Sequence, residues 1–272
     1  MAEELTILAI GDIVGRPGRQ AVSALVGRYR DEMGVDFVIA NAENAAAGSG
    51  LTPKIVEKLL ASGVDVITTG DHVFRNREVE KIIDDEPRLL RPANLSSRAR
   101  GRGFGVFAAP GGRKVAVVNI MGSLFMRETV LNEPLNTAAE LVDELRREAP
   151  IVVVDMHAEA TSEKIALGWL LDGRASLVFG THTHVQTADE RVLPKGTAYI
   201  TDLGMTGPFE SVLGRRVDRV LERFTTGMPT RFDVATGDVR LSGVIVRARA
   251  DTGKALAIER VCESAPVGPA GG

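Results

Sequence analysis

A single cysteine, Cys262, stands among 272 residues, so neither an intramolecular disulfide nor a cysteine-built zinc site is available. No basic block exists. Lys and Arg number 33 against 36 Asp and Glu, a net charge of −3. That balance argues against a general nucleic-acid or membrane surface and leaves room for a small anionic ligand in a local site. No apolar run reaches the length of a membrane span, and the acidic start Met1-Ala2-Glu3-Glu4 fits no signal peptide. A reducing cytoplasmic setting is therefore expected. The one tryptophan, Trp169, lies in a helical apolar pattern and is expected in the core rather than as a base-stacking platform. Histidine is scarce as well, with four copies. What is present is enough apolar material for a sizeable core.

Strand–turn–helix units dominate the first 80 residues. Apolar runs at 5–10, 37–40 and 64–69 are read as strands, ended by Gly11-Asp12, by Asn41-Ala42-Glu43-Asn44 and by Gly70-Asp71-His72. Pro17-Gly18 opens a helical pattern with Ala21, Leu25 and Tyr29 on one face, and Thr52-Pro53 forms a cap and first turn for a second helix. Such repetition implies right-handed crossovers and a largely parallel sheet, with ligands beyond the carboxyl ends of the strands. Residues 87–134 are broken by Pro, Gly and Arg and are read as a strand-rich segment with a cap-like excursion. Helices are expected over 137–148 and from Ser162, and strands over 151–154, 177–179 and 199–201. The runs 231–234 and 239–246 alternate about Thr236-Gly237-Asp238, a hairpin signal. With no repeat or linker, residues 1–266 are expected to form one domain and 267–272 a tail.

All four histidines follow apolar runs. His182 and His184 sit in Gly180-Thr181-His182-Thr183-His184, where a strand bending into a loop turns both rings to one point. His72 and His157 end other strands. Together with Asp12, Glu43, Asn44 and Asp71 they supply eight donors from five strand ends. Oxygen and imidazole donors without thiolates suit manganese, iron or zinc. That number exceeds what one tetrahedral ion takes and suits two ions sharing a carboxylate, a clamp for in-line displacement at phosphorus. Residues 11–18 hold glycines after a strand but lack the dinucleotide spacing and a P-loop lysine, so they are no nucleotide fingerprint.

These spaced motifs resemble those of calcineurin-like metallophosphoesterases and, more narrowly, the bacterial YmdB-like metallophosphodiesterases. The carrying segments run from Gly11-Asp12-Ile13-Val14-Gly15-Arg16-Pro17-Gly18 through Arg91-Pro92-Ala93-Asn94 and His157-Ala158-Glu159-Ala160-Thr161-Ser162-Glu163-Lys164 to Asp202-Leu203-Gly204-Met205-Thr206-Gly207-Pro208. The resemblance implies an α/β fold, specifically a four-layer α/β/β/α sandwich, with a dinuclear iron or manganese centre. It further implies hydrolysis of 2′,3′- or 3′,5′-cyclic nucleotides, or related phosphodiesters, by a hydroxide on that centre. Carried over by residue, Asp12 and His184 hold one metal with Asn44 assisting, Glu43 bridges, and Asp71, His157 and His182 hold the second. His72 is the acid that protonates the leaving alkoxide. Arg75, with Arg77 near it, is a candidate phosphate contact, and Asn94 and Thr206 are candidate substrate contacts.

Three positions depart from the wider pattern. Val14 stands where the superfamily has histidine and Glu43 where it has aspartate, both as in the YmdB-like group. Asp71 is particular to this chain, because the family has asparagine there. Three ligand carboxylates against two divalent ions leave one net positive charge where asparagine would leave two. Two alternatives stay open: a phosphomonoesterase with the same two-metal chemistry, and a regulatory or RNA-associated scaffold that keeps the fold. RNA association and self-association stay open as partners.

Overall fold

The computed structural model describes residues 3–126 and 132–266, so the expected tail at 267–272 and part of the 87–134 segment lie outside the described residues. In chain order the elements are β1 (Glu4–Ile10), β2 (Asp12–Ile13), α1 (Gly15–Met33), β3 (Phe37–Asn41), α2 (Pro53–Ala61) and β4 (Val66–Thr68). Then follow β5 (Phe104–Ala109), β6 (Arg113–Met121), α3 (Pro134–Leu145), β7 (Ile151–His157), α4 (Thr161–Leu170) and β8 (Leu177–Thr181). The chain continues through β9 (Arg191–Val192), β10 (Ala198–Ile200), β11 (Met205–Pro208), α5 (Val217–Thr226), β12 (Val239–Arg249) and β13 (Ala255–Ser264). No helix among the described residues is long and apolar enough to cross a membrane.

Two sheets result. The first has the order β2–β11–β12–β1–β3–β4, with β13 paired to β12, and the second the order β5–β6–β7–β8–β10–β9. In the first, β1, β3 and β4 are parallel, with Ile7 opposite Phe37 and Ile39 opposite Val66. In the second, β6, β7, β8 and β10 are parallel. The period-two alternation of strand side chains sorts the core. Leu5, Ile7 and Ala9 pack with Val117, Val153 and Phe179 between the sheets. Leu8 and Ile10 face the other way, against Leu25 of α1 and Val56 and Leu59 of α2. On the far side, Val118, Val154 and Val178 meet Ala138 and Val142 of α3 and Leu167 of α4. Each fully buried large aliphatic side chain contributes about 1.5–3 kcal/mol.

Local chemistry explains most boundaries. Thr52 caps α2 by accepting from Ile55 N–H, and Pro53 occupies the first turn as expected. α3 begins three residues before the expected start, because Glu133 accepts from the N–H groups of Leu135 and Asn136 ahead of a proline. Two expectations are corrected. Residues 231–234 form no strand beyond an isolated bridge of Arg215 with Val234, and the true partner of β12 is the later strand β13. α5 interrupts the stretch before it, although only Val220 of that helix is buried. Trp169 is half-exposed with the Arg191 guanidinium over its ring, because α4 turns Glu163, Lys164, Leu167 and Gly168 inward instead.

This topology gathers carboxyl ends. β1, β3 and β4 from one sheet and β7 and β8 from the other finish at one edge, each followed or ended by a donor identified from the sequence.

Candidate metal centre

Each donor arrives by its strand. His157 is the last residue of β7, and the β7–β8 register sets it opposite Thr181. The Thr181 hydroxyl lies 2.9 Å from His157 Nδ1 and itself donates to Asp155 Oδ1 at 2.7 Å. The opposite ring nitrogen, Nε2, faces inward at 3.1 Å from Asp71 Oδ1 and 3.4 Å from Glu43 Oε1. Gly70 makes that approach feasible, since a Cβ there would lie 2.1 Å from His157 Nε2. His182 repeats the arrangement with its nitrogens exchanged: Nδ1 faces His157 Nε2 at 3.2 Å, and Nε2 is tied to Glu159 Oε2 at 3.1 Å. His184 Nδ1 lies 3.3 Å from Leu213 O, and its Nε2 faces the Asn44 amide at 3.2 Å and Asp12 Oδ1 at 3.7 Å. Three imidazoles thus have one nitrogen fixed outward and one aimed at carboxylates. Outer partners of this kind orient ligand imidazoles around metals.

The carboxylates are placed to match. One ligand atom each from Glu43, Asp71, His157 and His182 lies within 4.8 Å of all the others. Asp12 is fully buried; its Oδ2 accepts His182 N–H at 3.0 Å, while Oδ1 has no hydrogen-bond partner among the described residues. An orphaned, buried carboxylate oxygen is costly unless a cation meets it. Electrostatics point the same way. Burial opposes ionisation of Glu43, yet the His157 and His72 rings outweigh it and hold the carboxyl well below its usual range. Asp71 is likewise held low against burial by its bonds to His157 and His182. Burial raises Asp12, partly offset by His184 and His157. His157 is the counterpart: burial disfavours its charge, but Glu43, Asp71 and Asp12 raise the imidazole well above its usual range. Three acids around one point demand positive charge there.

His72 stands beside this cluster. Its Nδ1 lies 2.8 Å from Asn44 Oδ1 and 3.3 Å from Glu43 Oε1, and its backbone N–H donates to Glu43 Oε2 at 3.0 Å. The neighbouring Glu43 carboxylate raises the imidazole, against its partial burial. An open cleft of about 340 Å³ is lined by His72, His182 and His184 together with Glu159, Leu213 and Arg215. A larger cavity, about 630 Å³, lies between the start of α1 and residues 231–239 and contains none of the eight donors.

All eight donors come together; the substrate contacts expected from the sequence divide. Arg75 is exposed and, with Asp71, Phe74 and Leu95, lines a second cavity of about 230 Å³. Arg77 is exposed at the start of a short 3-10 turn. Asn94 and Thr206 take structural places instead. The buried Asn94 amide donates to Met121 O at 2.7 Å and accepts from Met121 N–H at 2.9 Å. The buried Thr206 hydroxyl donates to Ser242 O and accepts Ser242 N–H at 3.0 Å. Sequence reasoning assigned no role to Thr181, Asp155 or Glu159, although Glu159 falls inside the His157–Lys164 motif. Burial raises the Asp155 carboxyl to about 6.

Two sheets deliver imidazoles and carboxylates to one shared edge, which makes this an α/β protein with a group of side chains that could hold a metal ion. The chain belongs to the family of YmdB-like proteins, whose model matches residues 8–261. It is 48% identical over 257 residues to the 2′,3′-cyclic-nucleotide 2′-phosphodiesterase of Bacillus subtilis strain 168, covering 94% of this chain and 96% of that protein. Among solved structures, a protein of Thermus thermophilus described as hypothetical superposes with a TM-score of 0.88 at 40% identity, covering 96% of this chain and 100% of that one. A structure described as a novel phosphatase from Mycoplasma pneumoniae also gives 0.88, at 35% identity, covering 98% and 96%.

Proposed function

We propose that the protein is a phosphodiesterase that hydrolyses 2′,3′- or 3′,5′-cyclic nucleotides, or related phosphodiesters, at a dinuclear metal centre. The observation that carries this reading is the set of three imidazoles, each tethered by its outer nitrogen and aimed by its inner one at the carboxylates. Family membership and the Bacillus relative's activity support the diester substrate. A helix–sheet–sheet–helix layering, one domain to residue 266 and a cytoplasmic setting belong to the same reading. The three apolar clusters support the layering.

Asp12, His184 and Asn44 would hold one ion, and Asp71, His157 and His182 the other, with Glu43 between them. Iron or manganese suits this donor set best, with zinc also compatible. When bound, the ions supply Lewis acidity, neutralising charge on the phosphate and acidifying water. The chain's own residues do the rest. The cleft admits the phosphate beside His72. Water oxygen adds to phosphorus as the ester P–O bond breaks; the water's released proton passes to solvent, and the protonated His72 gives its own proton to the departing sugar oxygen. The product is a phosphomonoester. Arg75, in the neighbouring cavity that also reaches Asp71, draws in the anion. Turnover of bis-p-nitrophenyl phosphate and 2′,3′-cyclic AMP should exceed that of p-nitrophenyl phosphate. A preference for the monoester would replace this reading with a phosphatase, and no turnover at full metal loading would replace it with a scaffold.

Asp71 tunes this site. Its extra negative charge retains metal but weakens attraction for an anionic substrate. Asp71→Asn is therefore expected to raise kcat several-fold in enzyme loaded only with divalent ions. The check is steady-state kinetics at matched metal content; lower turnover with both ions present would refute the electrostatic argument.

A further inference from the structure

We propose that Lys164 is a positioning residue that, through Asp202 and Thr183, clamps the His182–Thr183–His184 turn so that both imidazoles face the cleft; this rests on the metal-centre reading above. The turn needs a clamp. His182 has φ 92° and His184 φ 65°, a region that residues with side chains rarely adopt. In front, His182 N–H is held by Asp12 Oδ2 at 3.0 Å. Thr183 points the other way, and its hydroxyl and backbone N–H both donate to Asp202 Oδ2, at 2.5 and 3.3 Å. The Lys164 ammonium completes the joint, 2.7 Å from the same Oδ2 and 3.3 Å from Thr183 Oγ1. Asp202 is fixed in turn by Gly204 N–H on Oδ1 at 2.7 Å and by its own N–H donating to Thr187 Oγ1 at 2.9 Å.

Burial makes the pair unusual. Lys164 and Asp202 have side-chain exposures of 1% and 0%. A buried ion pair adds little stability over an apolar pair of the same shape, whereas removing one partner strands the other charge. Its value here is geometric: one carboxylate oxygen gathers three donors, and two of them belong to the residue between the histidines. Gly180 is shaped by the same arrangement. A Cβ there would lie 2.6 Å from Lys164 Cδ and 1.9 Å from Thr201 O, so the lysine stem runs where a side chain would stand. The motif's glycine and the distant lysine are one device.

The test compares Thr183→Val, which removes only the hydroxyl joint, Thr183→Ser, which restores it, and the neutral pair Lys164→Met/Asp202→Asn. Four histidines make the ring nitrogen NMR spectrum of the metal-free protein sparse. Wild type and Thr183→Ser should each give one sharp set of His182 and His184 signals. In Thr183→Val and the double variant, both folded by circular dichroism, those signals should broaden or double while His72, which the turn does not touch, stays put. Manganese retention against a chelator should fall by about ten- to a hundredfold, as when a ligand loses a supporting partner. Wild-type ring signals and metal retention in folded Thr183→Val would overturn the proposal, even if the double variant does not fold. A wild type that binds no metal would overturn the metal centre instead, and the metal-free ring signals would still decide the clamp.

Discussion

His72→Ala is expected to lower phosphodiester turnover roughly a hundred- to ten-thousandfold, the usual contribution of a positioned general acid, while leaving both metals bound. The two halves of that expectation have separate origins. His72 lines the open cleft, so its ring can reach a substrate ester oxygen. It is absent from the four-residue group of Glu43, Asp71, His157 and His182, so its removal leaves that group intact. Its links to the centre are the Nδ1 contacts to Asn44 and Glu43, the Nε2 contact to Asp71 Oδ2 at 3.6 Å and the backbone N–H to Glu43; only the backbone link survives alanine. Activated substrates sharpen the result. A p-nitrophenolate leaving group needs little protonation, so the loss should be larger for 2′,3′-cyclic AMP than for bis-p-nitrophenyl phosphate. Metal analysis beside kinetics on both substrates checks it. Equal losses on both, or loss of metal, would place His72 among the ligands instead of at the leaving group.

Glu43→Gln is expected to abolish activity by a different route, through failure to hold metal. Glu43 is 1% exposed and central: Oε1 lies within 3.4 Å of His157, His72 and the Asn44 amide, while Oε2 takes the His72 N–H. Glutamine keeps the shape but removes the one carboxylate placed between the two donor sets. Affinity should fall by more than about a hundredfold, beyond what losing a mere supporting partner costs. Titration calorimetry with manganese on wild type and variant gives the answer, and unchanged stoichiometry and affinity would remove Glu43 from the bridge.

The sequence made the eight donors legible because each ends an apolar run, and parallel strands deliver their carboxyl ends to one edge. Asp12, Glu43, Asp71, His157 and His184 needed no knowledge of pairing. Their supports did. Thr181 matters through its position opposite His157, a register that only the assembled sheet sets. Asp155 reads locally as the polar end of the strand expected over 151–154, and only the full length of β7 places it inside the sheet. Lys164 sits in a helix whose charged residues a periodicity argument turns outward, and only the partner carboxylate of Asp202 explains its burial. Asn94 and Thr206 show the opposite limit. Polar residues in motif segments looked free for substrate, but strand-end backbone groups had already taken them. The misplaced hairpin has a similar cause: alternation at 231–234 gave a local signal, and long-range pairing of β12 with β13 outweighed it.

Anomalous diffraction from manganese-loaded crystals would show the ions themselves. Two peaks per chain are expected, one among Asp12, Asn44 and His184 and one among Asp71, His157 and His182, with Glu43 reaching both. A single peak, or peaks away from these side chains, would contradict the dinuclear centre.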